Sequence, residues 1–105
     1  MSLLLRIETN AENDLSEIGN YFDEISDTLS QKFYTQFWKT AQKLTKFPDL
    51  GERRDYSNPE YTNIRIWQVD GFPNHLIFYR LKDDMLQILR VLHGARDYET
   101  IFNEE

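Results

Sequence analysis

Most of the residues able to do chemistry lie in the second half of the chain. Six of its seven arginines follow residue 52: Arg53, Arg54, Arg65, Arg80, Arg90 and Arg96. His93-Gly94 closes an apolar run, and Arg96-Asp97 begins a polar tail. An unperturbed imidazole titrates near pH 6.5, so His93 could act as a general acid or base, or be a hydrogen-bonded strand-end residue. Arg65, Arg80 and Arg90 each alternate with apolar neighbours. On strands they could converge on one uncovered sheet face. Alternatively each pairs with a nearby carboxylate, because a buried charge must be paired, and Asp97, Asp70, Glu60 and Asp55 are within reach along the chain. His75 sits at a strand start beside a loop and reads as surface. Two histidines without a carboxylate at helical spacing make no zinc site. There is no cysteine, no Ser/His/Asp signature, no glycine-rich phosphate loop and no paired-carboxylate motif. No metal or small-molecule cofactor is implied.

The elements that must carry these residues read as follows. Leu3–Glu8 is a short apolar strand. Thr9 with Glu12 fits a capping box, Asn10 is an alternative cap, and Asp14 adds negative charge to the first helical turn. Leu15, Ile18, Phe22, Ile25 and Leu29 form one helical stripe. A second helix runs from near Leu29 to Phe47, with Phe33, Phe37, Ala41 (or Thr40), Leu44 and Phe47 inward, and Pro48 ends it. Tyr34 and Trp38 lie elsewhere on that helix. They either cover the sheet or a loop, or offer a partner-binding groove. Asp49–Thr62 is turn-rich and reads as a loop. Three strands follow at Asn63–Val69, His75–Lys82 and Met85–Leu92, joined by short connections that favour antiparallel pairing. Met85–Leu92 is apolar on both faces and reads as an interior strand. Ala95–Phe102 could add one or two helical turns, and Asn103-Glu104-Glu105 should fray. The order is β-α-α-β-β-β. This is an α+β fold with a helical hairpin on one face of a four-stranded, mostly antiparallel sheet, in one domain spanning residues 1–105.

Composition narrows the function. Forty per cent of the 105 residues are apolar, with seven Phe, six Tyr and two Trp for a core. Twelve basic against eighteen acidic residues give a net charge of −6, which supplies no overall basic footprint for nucleic acid. Four of the five lysines (Lys32, Lys39, Lys43, Lys46) fall in the second helix, so a local positive face is compatible with an acidic protein. No apolar run reaches the roughly 20 residues of a membrane span. The N-terminus lacks the basic start of a signal peptide. A cytoplasmic location is the expectation.

Ile77-Phe78-Tyr79-Arg80 and Arg90–Asp97 (RVLHGARD) resemble the RelE/ParE superfamily of toxin–antitoxin toxins, and its ParE branch (plasmid stabilisation toxins) in particular. The likeness extends through Ala11, Asp14-Leu15, Ile18 and Tyr21, then Phe33, Phe37, Leu44, Pro48 and Gly51, then Ile64-Arg65. It implies a small bacterial toxin of a type II system, held silent by a cognate antitoxin, with its first strand at the sheet edge. A ParE-type toxin poisons DNA gyrase. A RelE-type toxin is a ribosome-dependent endoribonuclease acting on messenger RNA. A non-toxic interaction module of the same fold is a third expectation. For the ribonuclease, in-line attack needs a base, an acid and positive charge on the phosphate, and Arg65, Arg90, His93 and Tyr98 would fill those roles. Tyr98 reads equally as packing for the last turn. For protein partners, Tyr34, Trp38, Arg65, Arg80 and Arg96 are the candidates. The acidic balance and the absence of lysine between Lys46 and Lys82 separate this chain from the ribonuclease branch.

Overall fold

A computed structural model describes residues 3–96 and 98–103. Asp97 and residues 104–105 lie outside the described residues, as do the ion pair considered for Asp97 and the fraying considered for the last two residues. The order along the chain is β1 (Leu4–Ile7), α1 (Thr9–Asp23), α2 (Asp27–Lys46), β2 (Glu52–Arg54), β3 (Ile64–Val69), β4 (Phe72–Lys82), β5 (Met85–His93) and α3 (Tyr98–Asn103). A 3₁₀ turn at Pro48–Leu50 follows α2, and another at Pro59–Tyr61 precedes β3.

The sheet has five strands, not four, in the order β1-β5-β4-β3-β2. The added strand, β2, lies within the stretch read as loop and pairs antiparallel with β3, Arg53 opposite Arg65. Its Glu-Arg-Arg sequence is exposed at every position, so it has no apolar alternation to betray it. Charges along so short a strand also keep that edge from pairing with another chain. The apolar Met85–Leu92 run is an interior strand as expected, flanked by β4 and by β1, which pairs with it in parallel at the other edge. Asp83 and Asp84 both take positive φ (53° and 62°), the paired left-handed geometry whose twist suits a two-residue hairpin.

The hairpin α1–α2 packs on one sheet face. Phe22, Phe33, Phe37, Ala41 and Leu44 meet Val69, Ile77, Tyr79, Leu86, Ile88 and Val91. Three helix details differ from the sequence reading. Thr9 is inside α1, whose N-cap is Glu8 with no side-chain cap bond. Ser26 caps α2 instead, accepting from Leu29 N–H at 3.4 Å. Ile25 falls between the helices, and Phe47 follows the end of α2, where its backbone leaves helical geometry; both side chains are exposed. The other face is not open. Buried Phe102 of α3 lies 4.8 Å from the Phe78 ring and stacks on Tyr56 at 5.0 Å. Asn103 Oδ1 accepts from Ser57 N–H and Oγ–H, tying α3 to the loop before β3.

A β-bulge decides which way the β5 side chains point. Phe78 pairs with Arg90 but Tyr79 pairs with Ile88, so Leu89 is the extra residue. Past it the alternation resets: Ile88 and Val91 both face the hairpin, while Leu89 and Leu92 face α3.

Candidate functional site

Arg90 was expected either to converge with other arginines or to pair with a nearby carboxylate. It pairs with Asp14 of α1, 76 residues away. Nε donates to Oδ2 at 2.7 Å and Nη2 to Oδ1 at 2.9 Å. β1 ends at Ile7, so the outer edge of β5 is bare beyond Ile88. There the same carboxylate accepts from Val91 N–H at 3.0 Å. Asp14 is 5% exposed. It is thus a substitute for a missing strand neighbour rather than a surface charge on the helix dipole. Its hydrogen bonds hold the Arg90 pKa above the usual guanidinium range.

Arg65 lies directly opposite Tyr79, hence on the hairpin face. It donates to Gly51 O at 2.8 Å and lies 3.4 Å from the Asp49 carboxylate. Tyr79 is fully buried beneath it. Its hydroxyl donates to Pro48 O at 2.7 Å and accepts from Gly51 N–H at 2.8 Å, so one phenol fixes the exit from α2. Burial pushes its pKa up. Arg80, on the opposite face, donates to Gln87 Oε1 at 3.1 Å and to the Glu60 carbonyl. Arg65 therefore lies on the hairpin face, apart from Arg80 and Arg90, which share a depression on the α3 side of the sheet, where Arg90, opposite Phe78, reaches round the edge to Asp14. None pairs with Asp70 or Asp55, which bind Lys43 and Arg53.

His93 is exposed, its Nδ1 accepting from Ala95 N–H at 3.0 Å. That bond leaves Nε2 to carry the proton of the neutral ring. His75, read as surface, is only 8% exposed. It sits among Phe22, Phe33 and Phe72, edge-on to His93 at 5.2 Å. Burial, then the neighbouring His93, lowers its pKa. Tyr98 packs on Phe78 at 5.2 Å on the α3 face.

Three depressions divide these residues. A groove of about 700 Å³ holds His93 and Arg96, one of about 670 Å³ holds Arg80 and Arg90, and one of about 490 Å³ holds Tyr98. No described depression gathers the four residues suited to phosphodiester cleavage. Of the aromatic pair on α2, Trp38 is 46% exposed. Tyr34 is not available: its hydroxyl donates to Leu15 O at 3.0 Å and its ring lies over Gly19, knitting the two helices together. Asp14, Tyr79 and His75 were missed as organising residues. The only signal for Tyr79 was its place in the Ile77–Arg80 motif.

The family model for the ParE toxin of the type II toxin–antitoxin system parDE matches residues 5–98. The chain belongs to the ParE toxin family. Among solved structures it is similar to a chain of the chromosomal ParDE system of P. aeruginosa, with a TM-score of 0.71 at 19% identity, over 88% of this chain and 96% of that one. At that identity the likeness speaks for the fold, which includes the helices packed on a sheet. Proteins of curated function give no match. No helix among the described residues is long and apolar enough to cross a membrane.

Proposed function

We propose that this ParE-family toxin acts as a single domain in the cytoplasm, that a cognate antitoxin neutralises it, and that it poisons a DNA topoisomerase, gyrase, by binding rather than by cutting RNA. The observation that carries this is the dispersal of Arg65, Arg90, His93 and Tyr98. Two-residue acid–base catalysis needs both groups within hydrogen-bond reach of one reacting phosphate. Here Arg65 is engaged under the hairpin, Arg90 is neutralised by Asp14, and Tyr98, the first residue of α3, packs on Phe78. A net charge of −6 also opposes approach to ribosomal RNA. Protein surfaces remain as the working parts: exposed Trp38 and the groove at Arg96 are aromatic and guanidinium anchors of the kind interfaces use.

The test is induction without antitoxin, with primer extension on a translated message beside an assay of gyrase-linked DNA breaks. Breaks without codon-spaced cuts are expected. Cuts abolished by Arg65→Ala or Arg90→Ala, in protein shown to be folded, would establish the ribonuclease instead. Normal growth with neither signal would establish a silent interaction module. For the antitoxin, Trp38→Ala should weaken binding by more than about 1 kcal/mol.

A further inference from the structure

The groove of about 700 Å³ runs between α1 and the end of the sheet where β4 meets β5, and the family match does not assign it. Its floor is a chain of rings. Tyr21 touches Phe22 at 5.4 Å, Phe22 touches both Phe72 and His75 at 5.4 Å, and His75 touches His93 at 5.2 Å. Tyr21 is 59% exposed at the rim. Glu17 and the paired Asp14 are the carboxylates that line the α1 wall, and the segment around them is acidic. Between Glu8 and Gln31 the chain carries seven carboxylates and no Lys or Arg. Only Glu8 and Asp14 of these are in ion pairs; Glu12, Glu17, Asp23, Glu24 and Asp27 have none among the described residues. Glu17 and Tyr21 line the groove, and Glu24, the C-cap of α1 with helical backbone angles, continues the same side just beyond it. The opposite lip is Arg96.

We propose that this groove seats a basic, apolar-anchored segment of the antitoxin, an inference that rests on the toxin reading above. The occupant's apolar side chain lies on the ring floor, and its Arg or Lys residues face Glu17 and Glu24. A carboxylate or carbonyl of the same segment meets Arg96. Charge excludes the other occupants: a second copy brings the same acidic wall, and nucleic acid is repelled. A volume of about 700 Å³ is of the size that takes one bulky side chain with its neighbours. Aromatic floors and charged rims are the usual division between what holds a partner and what steers it. The antitoxin arm for this acidic toxin is therefore basic where it crosses α1.

The purified cognate antitoxin, titrated into the full-length chain at low and high salt, tests this. Tyr21→Ala should raise Kd more than about fivefold. The pair Glu17→Lys/Glu24→Lys should slow association about tenfold and flatten its salt dependence. The charge-matched pair Glu52→Lys/Glu99→Lys, away from the groove, should do neither. All the altered residues are exposed, so unchanged melting curves confirm folded protein. Antitoxin that binds wild type and both groove variants equally overturns the groove and leaves the antitoxin reading intact. Failure to bind wild type overturns that reading, and the groove assignment falls with it. Lost gyrase poisoning at unchanged antitoxin affinity overturns the proposal by making the groove a target surface.

Discussion

Replacing Asp14 with Leu should be among the most damaging single changes in this protein. The carboxylate accepts two hydrogen bonds from Arg90 and one from Val91 N–H, at 2.7, 2.9 and 3.0 Å. Leucine is of similar size, so little packing is lost. What remains is a guanidinium at 19% side-chain exposure with no anion, and a backbone donor with no acceptor. Breaking a buried pair from one side costs about 3–5 kcal/mol, and an orphaned donor about 1–3 kcal/mol. The two overlap, because the freed guanidinium can turn to water, so about 4 kcal/mol is the expected total. Against a typical stability of roughly 5–15 kcal/mol that is a large share, and it corresponds to a melting temperature lower by roughly 15–30 °C. Circular dichroism during urea and thermal unfolding measures it. The informative variant is Asp14→Leu/Arg90→Met. Apolar replacement of a whole buried pair is often neutral, so most of the stability should return, short by the Val91 N–H, about 1–2 kcal/mol. A loss below about 1 kcal/mol in Asp14→Leu, or a double variant as unstable as the single, would refute the assignment of Asp14 as edge closure.

Gly19→Ala should cost about 1–3 kcal/mol by overpacking, because a Cβ there would lie 1.9 Å from the Tyr34 hydroxyl and 2.5 Å from its Cζ; a less-than-additive loss in Gly19→Ala/Tyr34→Leu would confirm the contact. Tyr79→Phe should cost about 1–3 kcal/mol in urea titrations, since Pro48 O and Gly51 N–H lose their shared partner; an unchanged midpoint would mean water replaces the hydroxyl. His75 is held below its ordinary pKa of 6.5, so the unfolded chain takes up its proton first as pH falls. Its stabilisation is complete above pH 6.5 and declines from there down to the lowered folded value. Urea midpoints across that window should slope in the wild type and flatten in His75→Phe.

The parts legible in the sequence were those with a local pattern. Met85–Leu92 announced an interior strand because both its faces are apolar, and the α2 stripe announced its buried side. β2 left no mark, since Glu52, Arg53 and Arg54 are polar throughout and their pairing is decided by β3. The bulge at Leu89 is equally silent, yet it reverses the face of every later residue in β5. That is why alternation grouped Arg90 and Leu92 with Ile88, which the fold turns to the hairpin face while the other two pair with Phe78 and Leu76 on the opposite one. Asp14 looked like a helix-dipole charge because its partner lies 76 residues on. His75 looked superficial because a strand start beside a loop gives no hint that Phe22, Phe33 and Phe72 close over it. The candidate partner residues were half legible: Trp38 is exposed as expected, while Tyr34 is consumed by a glycine-sized gap in α1.

The strand order has a consequence for synthesis. β5, in the interior of the sheet, is made last of the strands, and β1, made first, pairs with nothing else. A chain that has emerged only as far as Lys82 therefore holds a helical hairpin, a three-strand fragment and a first strand with no strand partner, with the floor of its core missing. Contacts that close so late and across so many residues make folding slow. Premature stops or frameshifts anywhere before residue 93 should yield no folded toxin at all, so a cell carrying this gene disarms it as readily by a lesion near its end as by one near its start.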